Sequence, residues 1–330
     1  MTEPTDPYVR PDVRAFLDFL NKLPGPRTHE AGLEQAREML LKSRFVADAE
    51  TGELALFRDL TCPGPGGEIR LRLYDARESR GPGPLLLFFH GGGFVLGGLD
   101  THEPFCAELA RQLDLPVLAV DYRLAPEHPF PAGVEDCIAA ARWVAGSPEE
   151  LGREVTGLVV CGDSAGGNFA IVATMALRDE PAAVSVLAQW PIYPAADPAE
   201  RYASAKAFGE GYLLSGESMA WFDECYAPDA ADWRYVPLRK DQAGMPPTLV
   251  LTASLDPIRD QGRAYAAACA KAGVTTVFRE ARGTIHGFVN LRKALPSADE
   301  DIRGCVEALK LLIADGGHDE ATLRTQNRSG

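Results

Sequence analysis

Positive charge is scarce in this 330-residue chain: 33 Lys and Arg stand against 47 Asp and Glu, a formal net charge of −14. A protein that tracks phosphates needs a basic surface, so the balance excludes nucleic acid as a partner class. It also opposes docking on anionic lipid. No apolar run approaches the ~20 residues that span a bilayer. The opening residues, MTEPTDPYVRPDVR, hold acids and prolines. A secretory leader would need a basic start and an apolar stretch. The reading is therefore a cytoplasmic protein with no membrane partner. Cysteines number seven, scattered and without a CxxC or zinc-ligand pair. There is no internal repeat and no long low-complexity tract. What remains is ordinary globular composition, 46% apolar and 24% charged, at a length that suits one large domain or a core with an appendage.

Residues 8–43 carry helical spacing, in Val13, Phe16, Leu17 and Leu20 and then Leu33, Met39 and Leu40. Leu23-Pro24-Gly25-Pro26 separates two helices. After Leu54, Ile69, Leu71 and Leu73 alternate with polar neighbours in the period of a strand. Further strands read as short apolar runs at Leu85–Phe89, Val117–Val120, Leu158–Cys161, Val184–Ala188, Thr248–Thr252 and Thr275–Phe278. Continuous runs of this kind suit a parallel sheet covered on both faces. Helical stretches near 103–113, 133–145, 166–178, 259–272 and 298–313 alternate with them. The pattern predicts an α/β sandwich with its chemistry at the carboxyl ends of the strands. The aromatic-rich segment 195–240 breaks the alternation and reads as an insertion that covers something apolar.

The sharpest local signal is Gly162-Asp163-Ser164-Ala165-Gly166, between a predicted strand and a predicted helix. This is G-x-S-x-G in the context that gives it meaning. Glycines two residues either side permit a tight turn that lifts the Ser164 hydroxyl above the sheet. The blander alternative is a glycine-rich turn with a capping serine. A second signal is His90-Gly91-Gly92-Gly93-Phe94 after Leu85–Phe89. Backbone N–H groups of Gly91 and Gly92, with that of Ala165, would receive the oxyanion of an acyl-transfer intermediate. A phosphate loop would want Gly-Lys-Ser/Thr, which is absent. Of six histidines, His286 lies on a loop after the last predicted strand, where a base belongs, whereas His90 reads as a brace for its own loop. Asp256, at the end of Thr248–Thr252, is the candidate acid. Its position before Pro257 also suits a helix N-cap, and Asp260 competes for the role. The order Ser164, Asp256, His286 is that of α/β-hydrolases. Asp163, Tyr122 and Arg123 read as framework.

HGGGF, Asp121-Tyr122-Arg123-Leu124-Ala125-Pro126-Glu127, Phe130-Pro131-Ala132, GDSAGG, Leu255-Asp256-Pro257 and Ile285-His286-Gly287-Phe288 occur in register. Together they closely resemble the hormone-sensitive-lipase-like family of α/β-hydrolases, in its GDSAG branch, over roughly residues 50–315. The resemblance implies an α/β-hydrolase fold with a mostly parallel eight-stranded sheet, helices on both faces and a helical cap. It implies carboxylesterase activity with Ser164 as nucleophile, His286 as base and Asp256 as acid, and Gly91, Gly92 and Ala165 as oxyanion donors. Residues 1–45 and 195–240 would be the two cap pieces, 46–194 and 241–315 the core, and 316–330 a polar tail. A small-molecule ester of short to medium chain is the expected substrate, with no cofactor or metal, and a homodimer is the expected assembly. The rivals are an amidase or peptidase on the same triad and a non-catalytic ligand-binding relative. Those receptors lose the histidine that stands here at 286. An epoxide hydrolase or dehalogenase would place Asp where Ser164 stands.

Overall fold

The computed structural model describes residues 7–327; the outermost residues of the N-terminal helical region and of the polar tail lie outside that range. Eight strands form one sheet in the order β1-β2-β4-β3-β5-β6-β7-β8. They are β1 (Leu56–Gly64), β2 (Gly67–Asp75), β3 (Gly83–Phe89), β4 (Val117–Asp121), β5 (Val155–Asp163), β6 (Val186–Ile192), β7 (Thr248–Leu255) and β8 (Thr276–Ile285). β1 pairs antiparallel with β2, and β2 antiparallel with β4; every other pairing is parallel. The helices are α1 (Pro11–Leu20), α2 (Leu33–Ala47), α3 (Leu99–Leu113), α4 (Ala132–Ala145), α5 (Ala165–Asp179), α6 (Ala203–Phe208), α7 (Gly216–Tyr226), α8 (Arg259–Lys271) and α9 (Ala298–Asn327).

The central strands are mostly apolar because both faces are covered. In β3, Leu86 and Phe88 enter one core cluster, while Leu85, Leu87 and Phe89 enter the other. Side chains alternate across a strand, so one run of Leu and Phe feeds two cores. α3 and α9 cover the first face and α4 and α5 the second.

Several elements differ from the sequence reading, among them β8, which runs on to Ile285, seven residues past the expected end. β1 carries no apolar run because it is the sheet edge, and only Cys62 of its residues is buried. β6 lies two to four residues further on than Val184–Ala188. α3 begins at Leu99, four residues earlier than expected, with Pro104 tolerated near its start. α9 runs through the expected polar tail as far as Asn327.

The N-terminal helices are built into the body of the protein. Val13 and Leu17 of α1 and Ala47 of α2 belong to the first core cluster, and Ala36 of α2 to the second. The N-terminal segment also meets the insertion. Asn21 donates to Gly211 O, Arg27 pairs with Glu217, and His29 lies beside Ser218.

Candidate active site

Ser164 sits between β5 and α5 with φ 56° and ψ −115°, a left-handed conformation that costs a non-glycine residue free energy. The surroundings hold it there. Its N–H donates to Ile192 O on the neighbouring strand, and its carbonyl accepts from Asn168 N and Ala195 N. Glycine at 162 and 166 is a matter of space, because a Cβ at either would drive into the Phe89 carbonyl at the end of β3. The two loops therefore lie backbone against backbone. Although Ser164 occupies the N-cap position of α5, its hydroxyl caps nothing there. It meets His286 Nε2 at 2.8 Å.

His286 Nδ1 in turn meets Asp256 Oδ2 at 2.8 Å, and Asp256 is fully buried. The other carboxylate oxygen accepts from Ile258 N at 2.8 Å. The N-cap of α8 is Ile258, so Asp256 closes a turn just before the helix and does not cap it. Asp260 is turned away from the histidine. It accepts from Ser204 N at 3.0 Å and from the Arg259 and Arg263 guanidinium groups, which ties α6 to α8. Tyr193 packs its ring against His286, with centroids 4.6 Å apart.

The glycine loop departs from the sequence reading at one position. Gly91 N–H donates to Asp163 Oδ1 at 2.7 Å and is thereby engaged within the protein, so it is not available to a substrate oxygen. Among the described residues, no acceptor takes the N–H of Gly92, Gly93 or Ala165. Gly92 needs to be glycine, since φ is 128° and a Cβ would collide with the Leu96 carbonyl. The signal for this shift is Asp163, a framework residue in the sequence, whose carboxylate engages the Gly91 N–H.

Behind the loop lies a buried polar cluster. Burial opposes ionisation of Asp163, but His102, the Gly91 N–H and His286 outweigh it and hold its carboxyl below the usual range. Tyr193 Oη donates to its second oxygen at 3.3 Å. His90 stacks on Tyr122 at 4.2 Å between centroids, and Tyr122 Oη donates to the His90 carbonyl. Burial, with His102 nearby, pushes the His90 imidazole down to about 3. Burial also drives the thiols of Cys106, Cys137 and Cys161 well above their ordinary value, which makes them packing residues and not nucleophiles. Among the described residues, no group of His, Cys, Asp and Glu is placed to hold a metal ion.

A mostly parallel sheet with a serine on a strained strand–helix turn, hydrogen-bonded to a histidine from the last strand's loop, defines an α/β-hydrolase. The chain belongs to the alpha/beta hydrolase fold family, whose model matches residues 86–290. It is 42% identical to the carboxylic ester hydrolase LipN of Mycobacterium tuberculosis over 243 residues, 71% of this chain and 64% of that protein, just under two thirds of its length. It is 34% identical to an ethyl acetate hydrolase of Pseudomonas putida, over 92% of this chain and 98% of that protein. Among solved structures, an α/β hydrolase enzyme from the metagenome of Lake Arreo, Spain, is 38% identical with a TM-score of 0.86, covering 94% of this chain and 99% of that one.

Proposed function

We propose that this α/β-hydrolase is a serine carboxylesterase that cleaves small carboxylic esters through an acyl-enzyme. The observation that carries the reading is the continuous line from Ser164 Oγ through His286 to Asp256, with two 2.8 Å hydrogen bonds. In this reading Ser164 Oγ attacks the ester carbonyl carbon as His286 Nε2 takes its proton. Asp256 accepts from Nδ1–H, which fixes the tautomer and stabilises the imidazolium. The oxyanion is received by the N–H groups of Gly92, Gly93 and Ala165, the set left open once Gly91 is engaged by Asp163. His286 then protonates the departing alcohol. Water repeats the cycle on the acyl-enzyme and releases the acid.

Residues 1–45 and 195–240 act in this reading as two pieces of one cap. Phe222 of the insertion lies against Gly93, and Leu213 lies close to Gly287 beside the histidine, which favours a short, closed acyl slot. Dimerisation through β8 is supported by its place at the sheet edge and the exposed Phe278. Residence in a reducing compartment, the cytoplasm, is supported by cysteines that are all free. Among the described residues, no helix is long and apolar enough to cross a membrane.

The test is covalent. A fluorophosphonate should label the protein once, and Ser164→Ala should abolish both labelling and turnover of p-nitrophenyl butyrate. Stoichiometric labelling of the alanine variant would overturn the assignment.

A further inference from the structure

His286 directly follows β8, whose ladder with β7 is interrupted between Ala281 and Ile285, with Gly283 at φ 74° in the interruption. Gly287 follows at φ 78°, and then a single 3₁₀ turn, Phe288–Asn290. Yet the imidazole has to hold two 2.8 Å hydrogen bonds at once. Contacts from outside the segment therefore bear on its position.

The N-terminal segment reaches the histidine's stretch at both of its ends. Before the histidine, Arg10 N donates to Gly283 O at 3.0 Å and Arg10 Nε to Arg282 O at 2.7 Å. The Arg10 guanidinium is itself held by Asp301 and Ser297 at the start of α9, and Tyr8 packs on Gly283. After the histidine, the Ala47 carbonyl accepts from both Lys293 N and Ala294 N, at 3.0 and 2.9 Å. Next to it, Asp48 and Arg292 form an ion pair at 2.9 Å with side chains 0% and 3% exposed. Asp48 also accepts from the backbone N–H of Arg292. A buried ion pair adds little stability over apolar residues of the same size, because desolvation offsets the attraction. What it does supply is one defined geometry at one place.

We infer that Arg10 and the Asp48–Arg292 pair are positioning residues that clamp the two ends of the His286 segment, making the N-terminal segment part of the catalytic apparatus as well as a cover for the substrate. The inference rests on the proposed role of His286 as base. Displacing a base by about an ångström costs on the order of 100-fold in rate, so a loosened clamp lowers kcat and leaves substrate binding alone. It lowers kcat by the same factor for every acyl length, whereas damage to a cover changes the chain-length preference.

The full-length protein tests this with two variants and a conservative control. Asp48→Leu with Arg292→Met removes both charges together, so no unpaired charge stays buried. Arg10→Ala removes the guanidinium from the Gly283 side, and Arg10→Lys is its conservative partner. With p-nitrophenyl acetate, butyrate and hexanoate, both variants should lose ~10- to 100-fold in kcat at unchanged KM and with an unchanged order of preference. Phosphonate labelling of Ser164 should slow in parallel, and Arg10→Lys should recover part of the loss. Wild-type kcat in a folded paired variant, whatever its melting temperature, would overturn the clamp. If the paired variant does not fold, wild-type kcat in Arg10→Ala would overturn it. Failure of the phosphonate to label wild-type Ser164 would instead overturn the functional reading on which the clamp rests.

Discussion

Two carboxylates four residues apart, Asp256 and Asp260, illustrate how environment divides identical chemistry. Asp256 is fully buried, gives one oxygen to His286 and the other to a backbone N–H, and has no freedom to turn. Asp260 has the Ser204 backbone N–H and two guanidinium groups as partners, and its carboxyl is held below the usual range although burial opposes this. In the proposed mechanism Asp256 orients the base; Asp260 fastens the insertion to α8. Asp256→Asn should therefore stay folded and lose kcat by ~10⁴-fold, the cost of presenting the wrong tautomer. Asp260→Asn should keep kcat within a few-fold. Steady-state kinetics on the two variants decides the matter, and a crippled Asp260→Asn beside an active Asp256→Asn would reverse the assignment. Gly91 shows the same principle in the backbone. Three consecutive glycines offer three similar N–H groups, and only the position of Asp163 selects the one that is engaged within the protein.

Among the elements, the insertion lies close to both the glycine loop and the histidine's loop. Phe222 of α7 packs on Gly93 of the glycine loop, and Leu213, just before α7, lies near Gly287 beside the histidine. The N-terminal segment closes on the same helices through Arg27 and Glu217. In the proposed reading, an apolar acyl slot bounded in this way has an end wall. Each methylene that fits should contribute up to ~0.8 kcal/mol of burial, and none beyond the wall. kcat/KM across p-nitrophenyl esters should thus rise from acetyl to butyryl or hexanoyl and fall sharply for longer acyl chains. A preference for palmitoyl esters would contradict this closure. The aromatic run in 195–240 gave the apolar character of the insertion. Its contacts with residues 21–29 depend on the path of the whole chain, which no local pattern encodes.

Part of the molecule's response to acid follows from one of its buried histidines, His90. His90 is held near 3, below the ~6.5 of an exposed imidazole. The unfolded chain therefore binds a proton that the folded protein refuses. His90 contributes stability that is fully present above pH ~6.5 and is lost as pH falls toward 3, by up to ~1.4 kcal/mol per pH unit. Asp163, whose folded value is also depressed, contributes in a lower window, because its stability is lost only as pH falls below the usual carboxylate range. Urea midpoints should thus drop between pH 6.5 and 4.5, and His90→Asn should flatten that slope. An unchanged slope in the variant would assign the acid sensitivity to other groups.

By itself, the sequence determined the sheet's central strands and the serine turn. Burial on both faces forces continuous apolar runs, and a tight strand–helix turn forces glycine at 162 and 166. It also carried the family, because the motifs lie in register along the chain. It did not determine β1, an edge strand whose residues are mostly exposed and so free of apolar constraint. Nor did it determine which glycine N–H groups are open, what Asp260 holds, or that Arg10, Ala47 and Asp48 reach the histidine's segment. Those are contacts between residues as many as 273 positions apart, as from Arg10 to Gly283. They depend on distances of a few tenths of an ångström, and only the packed chain fixes such distances.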